Sequence, residues 1–320
     1  MIAIVGLISP FFGLIALGFG AGRIVRHPVD GLAWLNVFII YIALPALFFQ
    51  LLAKTPVEKL ASPGFVMATT LATFVIFATG FAVAMMRSRG DVPAATIQGL
   101  AGAYGNIGYM GPGLALVALG PEAAVPVALI FCFDNTLHFV MAPLLMALGG
   151  DRRGTALQLA AGVLARIFTH PFIIATIVGV AAAAFQIVLP DPVDRFLQLL
   201  ATAAAPCALF AMGVTLALRP LKRVPPELSF IIPLKLVAHP IAVWLTLGLF
   251  GSFDPVWVQS AMLLASLPTA TNVFVIAQQY GVWVERASAC VLVTTVISVG
   301  TVTLLLYLIA SGAIPADPFP

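Results

Sequence analysis

The stretch YGNIGYMGPGLALVALG, Tyr104 to Gly120, lies inside a long apolar segment and decides how the chain folds. Four glycines and a proline fall between Gly105 and Gly113, with the amide Asn106 among them. Both residue types weaken helices. In lipid, non-helical backbone survives only where protein buries it or where it lines a wet cavity. The stretch therefore predicts a broken membrane helix, with Pro112 suited to the first turn of its second half. A break of this kind frees N–H groups of partial positive character, and these can hold an anion.

The rest of the chain agrees with a membrane setting. Of 320 residues, 62% are hydrophobic and 8% charged, and mean hydropathy is +1.11. Soluble domains carry about 25% charged residues, so this chain cannot cover a water-facing surface. It reads as an all-α integral membrane protein in contact with the lipid bilayer. The formal charge of +3 comes from loop residues and gives no support to nucleic-acid binding. Cys132, Cys207 and Cys290 sit in apolar runs without Cys-x-x-Cys or His/Cys spacing and read as small buried hydrophobes. No Ser/His/Asp set, phosphate loop or metal-ligand spacing stands out, so no catalytic activity, cofactor or metal is expected.

A span needs about 20 apolar residues. Ten candidates follow: 2–22, 31–52, 64–86, 93–119, 121–147, 170–189, 193–218, 228–250, 255–280 and 283–310. The fourth and ninth are interrupted. Loops after odd-numbered spans hold eleven of the fifteen Lys and Arg residues, running from Arg23 to Arg286; loops after even-numbered spans hold Lys54, Lys59 and Arg195. The positive-inside rule then puts odd loops in the cytoplasm and both termini outside, in a multi-pass protein of the cell inner (plasma) membrane. Arg23 and Arg26 follow the first apolar run rather than precede it, which favours a retained helix over a cleaved signal. Trp34, Trp257 and Trp283 open spans two, nine and ten as interfacial anchors. Residues 151–169 read as an amphipathic cytoplasmic linker between residues 1–150 and 170–320.

Those two segments resemble each other. Span two reads ALPALFF (Ala43–Phe49) and span seven AAPCALF (Ala204–Phe210), with Pro45 and Pro206 at the same point. Span nine contains LPTATNVFVIAQQYG (Leu267–Gly281), the counterpart of the broken stretch in span four. Five spans is an odd number, so a second copy enters from the opposite side. An inverted 5+5 repeat with two broken helices, 4 and 9, is the pattern of secondary transporters, and the broken pair points to the substrate site. The candidate substrate-binding residues are Asn106, Gly108, Gly111, Pro112 and Gly113 in span four. In span nine they are Pro268, Thr269, Ala270, Thr271 and Asn272. The asparagine amides offer neutral donors to a carboxylate.

GNIGYMGPGLALVALG and LPTATNVFVIAQQYG resemble the crossover motifs of the auxin efflux carrier family, which includes bacterial carriers labelled malonate transporters. APCALFAMGVTL in span seven and KLVAHPIAVW in span eight resemble it too. The resemblance covers nearly the whole chain. It implies ten spans, a scaffold beside a transport domain, a homodimer, and a substrate site where helices four and nine cross. Asn106 matches the family's carboxylate-contacting asparagine, and Pro268 matches the proline of the second crossover. Two departures stand out. Pro112 comes one place earlier than in the family's Gly-x-Pro, and span three offers Thr69, Thr70 and Thr73 where plant members carry an acid.

Charges at membrane depth are expensive and usually face a bundle interior or cavity. Asp134 and His138 share one helix face four residues apart, and Lys235 and His239 repeat that spacing in span eight. Asp134, His138 and Lys235 are the candidates for proton coupling; a structural polar cluster is the alternative. The expected function is secondary transport of a small organic anion, such as malonate or an auxin-like acid, by alternating access. A sodium-coupled carrier of the bile-acid-symporter type and a non-transporting membrane sensor are the alternatives.

Overall fold

In a computed structural model, all residues are described except 1, 27, 57, 59–61, 150–157, 159–160, 163, 166–167, 219–223 and 319–320. Most of the linker expected over 151–169 lies outside the described residues. The ordered elements are α1 (Ile2–Val25), α2 (Ala33–Ala53), α3 (Pro63–Arg87), α4 (Val92–Ala103) and α5 (Gly111–Leu119). They continue with α6 (Ala124–Leu148), α7 (Pro171–Ala184), α8 (Asp191–Leu218) and α9 (Leu228–Phe250). The last are α10 (Pro255–Ser266), α11 (Thr271–Tyr280) and α12 (Val284–Ala310). No strand is present among the described residues. Among the described residues, six helices are long and apolar enough to cross a membrane: α2, α3, α6, α8, α9 and α12. Ser9–Val25 and Ile173–Ala184 are shorter apolar helices.

Two helices are widened locally for a common reason. In α2, Phe38–Ala43 is a π-turn segment in which Leu44 N–H bonds Ile39 O; in α9, Leu234–Ala238 is another, in which His239 N–H bonds Leu234 O. Each ends two residues before a proline, Pro45 and Pro240. A proline ring clashes with the carbonyl four residues back and supplies no N–H. Widening the turn absorbs the clash without breaking the helix. The second of these segments carries Lys235, and all of Lys235 is buried.

The chain packs as two compact units that cut across its sequence halves. The first comprises Met1–Ser62, Gly108–Cys132 and Phe168–Pro220. Its centre is the pair α1 and α8, which meet through glycines. A Cβ on Gly213 would lie 2.0 Å from Ile15 O, and one on Gly18 would lie 2.2 Å from Phe210 O. Gly22 faces Ala217 in the next layer, where a Cβ would stand 2.9 Å from the Ala217 Cβ. Small residues let membrane helices approach backbone to backbone, where dispersion rather than water release holds them. Gly113 of α5 joins the same seam, since a Cβ there would stand 2.8 Å from the Ala205 Cβ. At one end, Asp194 accepts from Gln50 Nε2 at 2.9 Å and from Lys54 Nζ at 3.0 Å, tying α8 to the end of α2.

The second unit comprises Pro63–Ile107, Phe133–Ile167 and Leu221–Pro320. Here α3 packs on α4 through Gly80 and Gly99; a Cβ on Gly80 would be 3.1 Å from the Gly99 Cα. Ile76, Phe77, Ile97, Leu100 and Tyr104 form one buried cluster with Ile231, Val273 and Cys290. Arg286 pairs with Glu227 at the end of this unit where α9 and α12 begin.

Candidate functional site

Two helix interruptions meet inside the second unit. α4 has 12 residues and α10 has 12, so each is about 18 Å long and cannot span a hydrocarbon core of about 30 Å. Both start alike. Asp91 caps α4 by accepting from Ala94 N–H, Asp254 caps α10 by accepting from Val256 N–H, and a proline follows each cap in the first turn. α4 stops at Ala103 and α10 at Ser266, and the chain turns extended at Tyr104 and at Leu267.

The freed main-chain groups find each other. Gly105 and Thr269 form an antiparallel bridge. Asn106 N–H donates to Pro268 O at 2.8 Å, and Ala270 N–H donates to Tyr104 O at 2.9 Å. Thr269 finishes the junction: its hydroxyl donates to Ala101 O at 2.8 Å, and its N–H donates to Thr294 Oγ1 at 3.2 Å. Each break therefore supplies what the other lacks, which is how irregular backbone is tolerated away from water. Gly105 is required by this closeness. A Cβ there would lie 3.2 Å from both Leu264 O and Lys235 Nζ.

Around the junction runs a chain of polar side chains. Lys235 Nζ donates to Ala265 O at 2.5 Å, at the end of α10, and to His239 Nδ1 at 3.1 Å. Thr73 Oγ1 donates to Asp134 Oδ2 at 2.9 Å and stands 3.2 Å from His239 Nε2. A threonine hydroxyl has one hydrogen. Since it goes to Asp134, the bonding pattern assigns the hydrogen of His239 to Nε2 and leaves Nδ1 to accept from Lys235. The donors thus point one way, from Lys235 through His239 and Thr73 to Asp134. All four residues are buried.

A second cluster lies on the same face of α6. His138 Nδ1 bonds the Asp134 carbonyl at 2.5 Å, and the Tyr104 ring stacks on the imidazole with centroids 4.2 Å apart. Tyr104 O–H donates to Asn135 Oδ1 at 2.5 Å and accepts from Asn272 Nδ2 at 2.9 Å. Two buried atoms here have no hydrogen-bond partner among the described residues, Asp134 Oδ1 and His138 Nε2.

The residues singled out in the sequence divide between the two units. Asn106, Pro268, Thr269, Ala270, Thr271 and Asn272 belong to the second and gather at the junction, with Asp134, His138 and Lys235 around them. Gly108, Gly111, Pro112 and Gly113 belong to the first. Pro112 lies in the first turn of α5. Gly108 and Gly113 each have a packing reason to lack a side chain, against Phe131 and against Ala205 and Phe11. Sequence reasoning passed over Tyr104 and Asn135, and it set Thr73 aside because a hydroxyl is not an acid. Tyr104 lies in the same broken stretch as Asn106. Its only signal was a hydroxyl in an apolar run beside a break.

The apolar helices make this a helical membrane protein, and its relatives make it a transporter. The chain belongs to the membrane transport protein family, whose pattern it matches over residues 3–146 and 152–306. This agrees with the auxin-efflux-carrier resemblance of its motifs. It is 60% identical over 320 residues, the whole of both chains, to the "Putative malonate transporter" of Rhizobium meliloti (strain 1021). It is 24% identical over 309 residues, 95% of this chain and 96% of the relative, to the "Uncharacterized transporter YfdV" of Escherichia coli (strain K12).

Proposed function

We propose that this protein is a secondary carrier of a small organic anion, malonate or a related carboxylate, working by alternating access around the helix junction. The observation that carries the reading is the mutual bonding of the two breaks, Gly105 to Thr269, beside a buried polar chain. Taking α4 with α5, and α10 with α11, as single interrupted spans gives ten spans. The interrupted ones are then the fourth member of each group of five, as an inverted repeat requires. A carboxylate at the junction finds amide donors on Asn106 and Asn272 rather than a fixed positive charge. Neutral donors suit a ligand that must leave again. The name of the Rhizobium relative supports malonate as the first substrate to try.

The directed chain from Lys235 to Asp134 supplies the coupling. Every link is a donor–acceptor pair, so a proton delivered at one end can be passed on by successive shifts of hydrogen. Occupancy of Asp134 by a proton then alters what the junction holds. The reading is tested in proteoliposomes by a screen of carboxylates beginning with malonate. Saturable uptake of at least one supports it. Folded protein that moves none of them overturns it and leaves the sensor reading.

Asn106→Ala should weaken carboxylate binding while leaving insertion and folding intact. A hydrogen bond to a charged group is worth about 1.5–3 kcal/mol, roughly tenfold to a hundredfold in Kd. Isothermal calorimetry on detergent-solubilised protein reads this directly, and an unchanged Kd removes Asn106 from the site.

The proposed orientation has both termini outside the cytoplasm, in the inner (plasma) membrane. A phosphatase reporter fused after residue 320 should be active outside, and a fusion after residue 150 should be silent there. The opposite pattern reverses the assignment of the basic loops.

A further inference from the structure

We propose that Tyr104 is a substrate ligand, its phenol donating to the carboxylate that Asn272 also binds; this rests on the organic-anion reading above. Among the fully buried side chains of the protein, Tyr104 is one of the largest. It lies in the extended segment after α4, held by the bridge to the other break, so its backbone is anchored independently of its hydroxyl. The hydroxyl sits between two amides. It donates to Asn135 Oδ1 at 2.5 Å and accepts from Asn272 Nδ2 at 2.9 Å.

Asn272 differs from its neighbours in one respect. It is exposed, while Tyr104 and Asn135 are covered. An anion that lands on the Asn272 amide is therefore bound to an atom that itself stands 2.9 Å from the phenol oxygen. A carboxylate attracts an O–H more strongly than a neutral amide oxygen does, by about a factor of two in bond strength. The phenol hydrogen then turns from Asn135 Oδ1 to the carboxylate, and the Asn272 Nδ2 hydrogen turns from the phenol to the same ligand. Nothing but two hydrogen bonds is exchanged. Before a ligand binds, the phenol both donates to Asn135 Oδ1 and accepts from Asn272 Nδ2, so its own bonding roles are filled.

A second observation points the same way. The Tyr104 ring stacks on His138, whose Nε2 is buried and has no partner. A purely structural tyrosine tie would have no reason to rest on an unsatisfied imidazole. A tyrosine that shifts when a ligand binds presses on a group able to answer; the other nitrogen of His138 is held by the main-chain carbonyl of Asp134, the residue whose carboxylate ends the polar chain.

The test is malonate binding and uptake by Tyr104→Phe, which keeps the ring and its stacking and removes only the hydroxyl. Apparent affinity should fall roughly tenfold or more, with a modest fall in melting temperature from the lost bond to buried Asn135. Unchanged affinity in a folded Tyr104→Phe protein overturns the proposal. Should that variant fold poorly, 3-fluorotyrosine placed at position 104 keeps the shape and makes the O–H a stronger donor. Tighter malonate binding supports a ligand role, and unchanged binding overturns it. Wild-type protein that binds no carboxylate overturns the transport reading as well, whereas wild-type binding untouched by either variant overturns the role of Tyr104 alone.

Discussion

Gly213→Val should prevent stable assembly of the first packing unit. A Cβ on Gly213 would stand 2.0 Å from Ile15 O and 2.8 Å from Phe19 N, both main-chain atoms of α1. A flexible side chain could swing away; a helix backbone cannot. α1 and α8 must separate, and the Gly18 contact with Phe210 O on the same seam opens with them. Overpacking a tight core costs typically about 1–3 kcal/mol, and occasionally more, and the valine adds two methyls beyond the clash. The loss should exceed the upper end of that range. It should appear as a large drop in monodisperse protein on size-exclusion chromatography and in melting temperature. A valine at Gly6, where no atom lies within 4 Å of the added Cβ, is the control and should behave as wild type. Equal stability of the two variants would show that the seam is not packed as described.

Asp134→Asn should abolish proton-driven accumulation while sparing binding. Asparagine keeps the size of the side chain and an oxygen for the Thr73 hydroxyl, but it cannot take up a proton. In a carrier coupled to one proton, a gradient of one pH unit is worth about 1.4 kcal/mol, or about tenfold accumulation. Vesicles with a clamped voltage and an imposed pH gradient should show that gain for the wild type and none for the variant, with exchange of labelled malonate retained in both. Acceleration by a sodium gradient alone, with Asp134→Asn fully active, would sink the proton reading. It would move coupling to the oxygens of the junction. The companion change Lys235→Met is more disruptive, because it removes the donor to both Ala265 O and His239 and leaves Asp134 without a cation in its chain.

The sequence makes the breaks legible but not how they are satisfied. Glycine and proline between Gly105 and Gly113 predict where the helix fails, because those residues act locally. The pairing of Gly105 with Thr269 is a contact across more than 160 positions, and no local pattern encodes it. The same division holds for the charges. Asp134 and His138 read as neighbours from their four-residue spacing, since a helix brings such positions together. That Thr73 mediates between Asp134 and His239 depends on α3 packing beside α6 and α9. Several span limits come close: 64–86 was expected where Pro63–Arg87 is helical, and 228–250 where Leu228–Phe250 is. The expected 170–189 is too long, for α7 ends at Ala184 and Gln186 takes a positive φ of 51°.

The junction is fastened chiefly by main-chain groups: Asn106 N–H to Pro268 O, and Ala270 N–H to Tyr104 O. Main-chain N–H and C=O groups are common to every residue type except proline, which lacks the N–H, so this fastening does not otherwise depend on which side chains flank it. Asn106, Thr271 and Asn272 can then be exchanged one at a time without the crossing coming apart, save at Gly105, where space forbids it. A single ancestral junction could in this way diversify into carriers for different anions through point changes alone. On the proposed function, these positions are where a library for new cargo would be built, with the polar chain from Lys235 to Asp134 left untouched.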